Sequence, residues 1–401
     1  MRDTPPPSPQ TRPAAAAASA ESSAPTRVTI AQPALTKYRI PVFAELAARE
    51  GLELRVAYSS DGAVPNVEAA GFVSEYHPSR RLGPFTLRRF QFTESTRAQA
   101  DVIVLPWATR ELTLIPAMVR ARASGMGVVL WGHGFSKQES ALRGTLRNGV
   151  ARRAHSVLVY NRSTADALVA GGLDANRVFV APNALDQAPI QAARAHWLAE
   201  PDRLAGFRRE HDLGEGPVLL FVSRLGADRR ADVLLRAGAL LRDAHPDLRI
   251  AIVGDGPDSG RLRALSTELG LDDLARFPGA VYDETELAPW FLSASAFVYP
   301  VNIGLSLLHA MGYGRPVITS DNLRNHGPEI DALRPGHTGL TYKEADHEDL
   351  ARVVGGLLGD DALRTRLGEA AHRDALERWS VPAMVDGFVE AIRHAAENAR
   401  A

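Results

Sequence analysis

The chain has 401 residues, of which 45% are hydrophobic and 23% charged, and its net charge is −1. That length supports two hydrophobic cores, the near-neutral balance argues against a nucleic-acid partner, and no apolar run nears the ~20 residues that span a bilayer. The absence of cysteine removes disulfides, thiolate metal sites and cysteine nucleophiles, which leaves a cytoplasmic protein as the expectation, with peripheral contact to the inner face of a membrane open.

Residues 1–26 hold Pro5-Pro6-Pro7 and an alanine run with almost no large apolar side chain, so a disordered tail is expected. No Leu/Val-rich core follows Arg2, which argues against a signal peptide. From Arg27 the pattern alternates. Strands are predicted at 28–31, 52–58, 102–105, 128–130, 156–160 and 178–180, with helices at 42–49, 111–123 and 163–170. Residues 187–216 are polar and helical, as an interdomain connection would be. The alternation restarts with strands at 218–222, 250–253, 275–277, 297–299 and 316–319, and with helices at 231–244, 260–269, 284–292 and 305–313. A last helix covers roughly 381–397. Strands separated by helices predict two α/β domains with parallel sheets, over 27–200 and 215–380, and a ligand cleft at the carboxyl ends of the strands.

The segment 297–329 concentrates the chemistry. A buried strand stops at Pro300, a Val301-Asn302-Ile303-Gly304 turn follows, and a helix then starts near Leu305. Free backbone N–H groups at such a turn favour an anion. Ahead of it, Arg224 and Arg229 follow an apolar strand. Their guanidinium forks suit phosphate oxygens, although a solvated turn with surface arginines is the alternative. Only Lys37, Lys137 and Lys343 are lysines, so an arginine where lysine would serve carries little extra meaning. Gly254 and Gly256 permit either a tight turn near a ligand or a plain turn.

Taken together, Ser223-Arg224-Leu225 with Arg229, Val253-Gly254-Asp255-Gly256-Pro257, Phe277 to Val281, Pro300 to Ile318 and Pro328-Glu329 resemble retaining GT-B glycosyltransferases of family 4. The resemblance is strong over 215–380 and looser over 28–190. It implies two facing Rossmann-like domains and a donor nucleotide-diphosphate sugar held mainly by the C-terminal domain. It also implies no required metal or other cofactor, and a last helix, about 381–401, that packs back on the first domain. On this resemblance Arg224 and Arg229 hold the diphosphate, with Asn302, Gly304 and Leu305 at the turn and helix start beneath it. The family's paired glutamates fall on Val301 and His309. His309 is then expected beside the nucleotide ribose, and Val301 cannot make the expected sugar contact. Glu329 is a candidate replacement carboxylate for a sugar hydroxyl or the ribose; a helix-terminal acid is the alternative.

In the first half, His133 lies between Gly132 and Gly134 after a strand. The resemblance implies a cleft-lining histidine there, able to orient the acceptor hydroxyl or pass a proton; a turn histidine with no catalytic duty is the alternative. Asn183 reads as a structural residue on the hinge side of the cleft. Lys37, Tyr38 and Arg39, at the end of the first strand, are acceptor-side candidates for an anion, or else an exposed loop. Two basic stretches could face the acceptor or a membrane, with a solvated helix face as the alternative. One holds Arg80, Arg81, Phe85, Arg88, Arg89, Phe90 and Phe92; the other is a helix on which Leu142, Leu146 and Val150 set Arg143, Arg147, Arg152 and Arg153 on the opposite side.

The expected activity is transfer of a sugar to a hydroxyl on a glycan or lipid-linked acceptor in bacterial cell-surface polysaccharide, lipopolysaccharide or glycolipid assembly. An epimerase or hydrolase on the same architecture is one alternative. A non-catalytic nucleotide-sugar-binding partner of another transferase is the other. A nicotinamide-dependent dehydrogenase is disfavoured, because no GxGxxG follows any strand.

Overall fold

The computed structural model describes residues 24–60, 65–134 and 141–399, with side chains throughout except at 141–143 and 146. The expected disordered tail therefore lies almost wholly outside the described residues, as do the side chains of Leu142, Arg143 and Leu146.

The first half builds β1 (Thr26–Gln32), β2 (Leu52–Tyr58), β3 (Val73–Tyr76), a small antiparallel hairpin of β4 (Arg80–Leu82) and β5 (Phe85–Leu87), then β6 (Val102–Pro106), β7 (Gly127–Gly132), β8 (Ser156–Val159) and β9 (Val178–Val180). Apart from the hairpin, these strands form one parallel sheet in the order β3-β2-β1-β6-β7-β8-β9. The second half contributes β10 (Val218–Val222), β11 (Arg249–Val253), β12 (Ala275–Gly279), β13 (Ala296–Val298), β14 (Val317–Ser320) and β15 (Gly339–Tyr342), parallel in the order β12-β11-β10-β13-β14-β15. Strands such as β10 are covered on both faces and so read as unbroken apolar runs. Each sheet reverses its strand order once, between β1 and β6 and between β10 and β13. Connections leave in opposite directions at these two places, and each opens a crevice at the carboxyl ends of the strands.

Helices α1 (Ile40–Ala47), α2 (Arg89–Thr93), α3 (Leu114–Ala123), α4 (Ala141–Ala151) and α5 (Arg162–Ala170) belong to the first half. Next, α6 (Ala188–Leu198) and α7 (Pro201–Glu210) bridge to the second, which adds α8 (Ala231–Leu241), α9 (Ser259–Glu268), α10 (Glu284–Ser293), α11 (Ser306–Gly312), α12 (His347–Leu358) and α13 (Asp361–Glu377). Finally, α14 (Val381–Asn398) returns to the first sheet, where Phe388 meets the Trp131 ring edge-on at 4.7 Å and the Ser156 hydroxyl donates to the Ala391 carbonyl at 2.9 Å. Contact is close enough to require glycine. A Cβ at Gly387 would stand 2.1 Å from the Val180 carbonyl oxygen, and one at Gly127 would stand 2.7 Å from that of Ala395.

Two of the basic stretches differ from expectation. Arg88 is buried and bonds the Glu111 carboxylate at 2.6 Å and the Ser59 hydroxyl at 2.8 Å, while Gln91 also donates to Glu111. Phe90 is buried as well. Arg88 therefore fixes the β5–α2 corner from inside and is no membrane contact; Arg80 and Arg81 are exposed. Arg147 is the second case: its guanidinium turns inward over the Trp107 ring at 5.8 Å.

A histidine at the foot of β8 gives the fold a pH dependence. The His155 Nδ1 accepts from the Val128 N–H at 2.9 Å, and the Arg122 guanidinium stands 2.9 Å from its Nε2. Burial, then the neighbouring Arg122, Arg177 and His394 charges, push its pKa from 6.5 down to about 4. The folded protein thus binds fewer protons here than the unfolded chain. This contribution is complete above pH 6.5 and is lost as pH falls toward about 4. Thermal melts across that window should show a falling melting temperature, with a shallower fall in His155→Gln; equal slopes would remove His155 as the cause.

Candidate functional site

The second-half crevice is built by the loops that follow β10 and β13. Ser223, just past β10, shares a 2.8 Å hydrogen bond with the Tyr299 hydroxyl, which fixes the two loops to each other. Arg224 comes next and is exposed, and it has no hydrogen-bond or ion-pair partner among the described residues. Arg229 ends a short 3-10 turn; its Nη1 donates to the Asn302 carbonyl at 2.7 Å and its Nε lies 3.4 Å from Asp228. Asn302 has a left-handed φ of 63° and donates through Nδ2 to Asp228 at 2.9 Å. Arg229 and Asp228 thus hold the 301–304 turn open. Beyond it, the backbone N–H groups of Gly304 and Leu305 have no partner among the described residues. Leu305 is the N-cap of α11, a helix of only 7 residues, so these two amides and the arginines carry the site's positive character.

Gly254 and Gly256 serve this crevice from behind. Their φ values are 146° and 157°, and a Cβ on them would stand 1.8 Å from the Ser223 carbonyl oxygen and 2.3 Å from that of Leu225. The close approach anticipated at these glycines is therefore to the Ser223–Leu225 loop, which they allow to lie flat. His309 also has a protein partner. Its Nε2 lies 2.8 Å from Glu284 Oε1, the Tyr313 hydroxyl donates to the same oxygen at 2.5 Å, and the Phe291 ring lies 4.8 Å away. Although burial raises the Glu284 pKa, the His309 and Tyr313 contacts outweigh it and hold the carboxylate low. Nothing in the sequence singled out Glu284, which reads as an ordinary acid in the first turn of a helix.

Glu329 joins the two halves. It is buried; its Oε1 accepts from Asn183 Nδ2, and its Oε2 is buried without a hydrogen-bond partner among the described residues. Burial pushes its carboxyl upward, against the Asn183 bond and the Arg39 charge. Nearby, Asn161 donates to the Pro328 carbonyl at 2.8 Å, and the Ser163 N–H and hydroxyl donate to Asp331. Asn183 is therefore a cross-connection as well as a structural residue.

The first-half crevice, between the loops after β1 and β6, contains a cavity of 350 Å³. His133 reaches it from the end of β7, exposed and 4.8 Å from the Tyr160 ring. Its flanking glycines are fixed by packing: a Cβ at Gly132 would meet Trp107 at 2.9 Å, and one at Gly134 (φ 69°) would meet Thr164 at 2.5 Å. Tyr38 and Arg39 line the cavity and Lys37 does not. Arg39 departs from the exposed-loop alternative: it is buried, 4.7 Å from the Trp131 ring centre, and its Nη2 donates to the Tyr160 hydroxyl at 3.2 Å. Trp107, Trp131, Tyr160 and Arg147 complete the walls, and none of them was a sequence candidate for this site.

Comparison with known proteins agrees with this geometry. Residues 206–374 match the family model Glycosyl transferases group 1. HepE of Anabaena, solved in complex with UDP, superposes with a TM-score of 0.69 at 16% identity, covering 92% of this chain and 99% of that one. The chain has the GT-B fold.

Among curated proteins, a GDP-mannose-dependent α-(1-6)-phosphatidylinositol monomannoside mannosyltransferase of Mycolicibacterium smegmatis is 29% identical over 206 residues, 49% of this chain and 53% of that protein. A D-inositol 3-phosphate glycosyltransferase of Streptomyces bingchenggensis is 34% identical over 218 residues, 50% of this chain and 44% of that protein. The chain thus spans about half the length of these relatives. Among the described residues no group of three or more His, Asp or Glu side chains is placed to hold a metal, and no helix is long and apolar enough to cross a membrane.

Proposed function

We propose that this protein is a retaining glycosyltransferase of family 4 that moves a sugar from a nucleoside-diphosphate donor to an acceptor hydroxyl. The observation that carries this reading is the unpartnered Arg224 guanidinium at the β10–β13 crevice, beside Arg229 and the free amides of Gly304 and Leu305. As the bond from the anomeric carbon to the diphosphate breaks, charge grows on the departing oxygen. Fixed donors in a closed cleft stabilise that charge by several kcal/mol. On this reading the arginines neutralise the diphosphate, so no metal or other cofactor is required. His309 and Glu284 together face the nucleotide ribose, and Glu329 faces the donor sugar with its free oxygen.

The acceptor enters at the first-half cavity, where His133 orients its hydroxyl or takes its proton. Work on a glycan or lipid-linked acceptor at the inner face of a cell membrane, in polysaccharide, lipopolysaccharide or glycolipid assembly, fits two features of the first half. An apolar groove of 730 Å³ lies between α3 and α4, with Arg122 and Arg153 among its lining residues, and the exposed Ile115 and Val119 line it too. Cationic side chains beside exposed apolar ones suit an anionic lipid surface.

The test is a screen of uridine, guanosine, adenosine and thymidine diphosphates and their sugars by thermal shift, followed by transfer assays with and without a chelator. One base family should raise the melting temperature, and the product should keep the donor's anomeric configuration. An inverted product would end the retaining assignment, and donor conversion without acceptor would favour an epimerase or hydrolase.

A further inference from the structure

We propose that the cavity at the β1–β6 crevice holds the phosphate of a phosphate-bearing acceptor, gripped by Arg39, Trp107, Trp131 and Thr36; the proposal rests on the transferase reading above. Arg39 is 5% exposed, yet its partners among the described residues are the Tyr160 hydroxyl, the Met384 sulfur at 3.4 Å and aromatic ring faces. No carboxylate lies within ion-pair distance of it among the described residues. The acid that acts on it, Glu329, is already engaged by Asn183. Burial of a guanidinium without a counter-ion is costly, and ring faces offset only part of that cost.

Three more polar atoms share the predicament. Among the described residues Thr36 Oγ1, Trp107 Nε1 and Trp131 Nε1 are buried without hydrogen-bond partners, on residues 8%, 8% and 3% exposed, and all three residues line this cavity. Indole nitrogens can only donate. No aspartate or glutamate lines the cavity, and its other ionisable groups are His133, Arg147, Tyr38 and Tyr160. Such a surplus of donors around a buried cation selects a ligand rich in acceptors and negatively charged. A phosphate monoester can accept from several of these donors at once, whereas a free sugar hydroxyl can accept from only one or two. The donor diphosphate belongs to the other crevice with Arg224, so this phosphate is the acceptor's. It can come from a soluble phosphorylated sugar or from a lipid headgroup, which present the same oxygens.

The two indoles make the site visible. Tryptophan emission of the full-length protein, saturated with its nucleoside diphosphate, is titrated with inorganic phosphate, a hexose 6-phosphate and the free hexose. A second arm uses vesicles of phosphatidic acid in phosphatidylcholine against phosphatidylcholine alone. A saturable response to phosphate and the ester, absent with the free hexose, is expected for a soluble acceptor. A response to phosphatidic acid alone identifies a lipid acceptor. In either case Arg39→Gln should weaken binding about tenfold or more, and Trp107→Phe, which keeps the ring and removes one donor, a few-fold.

Binding that both variants leave unchanged, or no binding in either arm, would overturn the proposal. If nucleoside diphosphates still raise the melting temperature in that case, the transferase reading stands without it. If they do not, both fail.

Discussion

Arg224→Ala is expected to lower kcat by roughly 100- to 1,000-fold, the size of effect seen when one fixed donor to a developing oxyanion is removed. The fold should not notice. Arg224 is exposed and bonded to nothing described, and surface changes of that kind stay within about 0.5 kcal/mol. Melting temperature and turnover at saturating donor therefore separate cleanly. Arg224→Lys restores the charge without the two-pronged fork, so it should recover part of the rate and less than the full rate. An alanine variant with wild-type kcat would mean that the diphosphate departs elsewhere.

Glu329→Gln is expected to cut kcat/KM by about tenfold or more with the melting temperature nearly unchanged. Glutamine keeps the shape and can still accept from Asn183, and burial already pushes the native carboxyl away from its charged form. What the change removes is the acceptor oxygen left over, Oε2, which is buried with no hydrogen-bond partner among the described residues. Glu329→Leu, by contrast, strands the Asn183 amide and should destabilise by about 1–3 kcal/mol. If glutamine leaves kinetics untouched while leucine only lowers stability, Glu329 is a strut between the halves and nothing more.

The fold was largely legible in the sequence because of how its strands are buried. The limits expected for 52–58, 178–180 and 218–222 coincide with β2, β9 and β10. The elements that escaped notice carry weaker signals. The strand β3 and the β4–β5 hairpin are mostly exposed, and β15 with α12 and α13 lay beyond the motifs.

The site divides in the same way. Arg224 and Arg229 could be placed at this crevice from the sequence because an apolar strand delivers them directly to its carboxyl end. Arg39 was an acceptor-side candidate, but its burial could not be read, since what buries it comes from β7, from Tyr160 and from Met384 on α14, 345 residues away along the chain. Trp107 was missed and Arg147 was read as facing the acceptor or a membrane for that reason too: their contact joins α4 to the loop after β6. For Gly254 and Gly256 the need for close approach was readable, but its object was not, because a backbone carbonyl and a ligand demand the same missing Cβ.

The return of α14 to the first sheet has a consequence for how the protein is made. One face of that sheet, with Trp131, Val129 and Leu158, is covered by Met384, Phe388, Ala391 and Ile392. The last strand of that sheet ends at Val180 and its cover begins at Val381, 381 − 180 = 201 residues later. At about 5–20 residues per second on the ribosome, the face waits some tens of seconds for its final helix. During that interval the part of the apolar sheet that α14 covers stands bare, and the first half becomes complete only once α14 has been made.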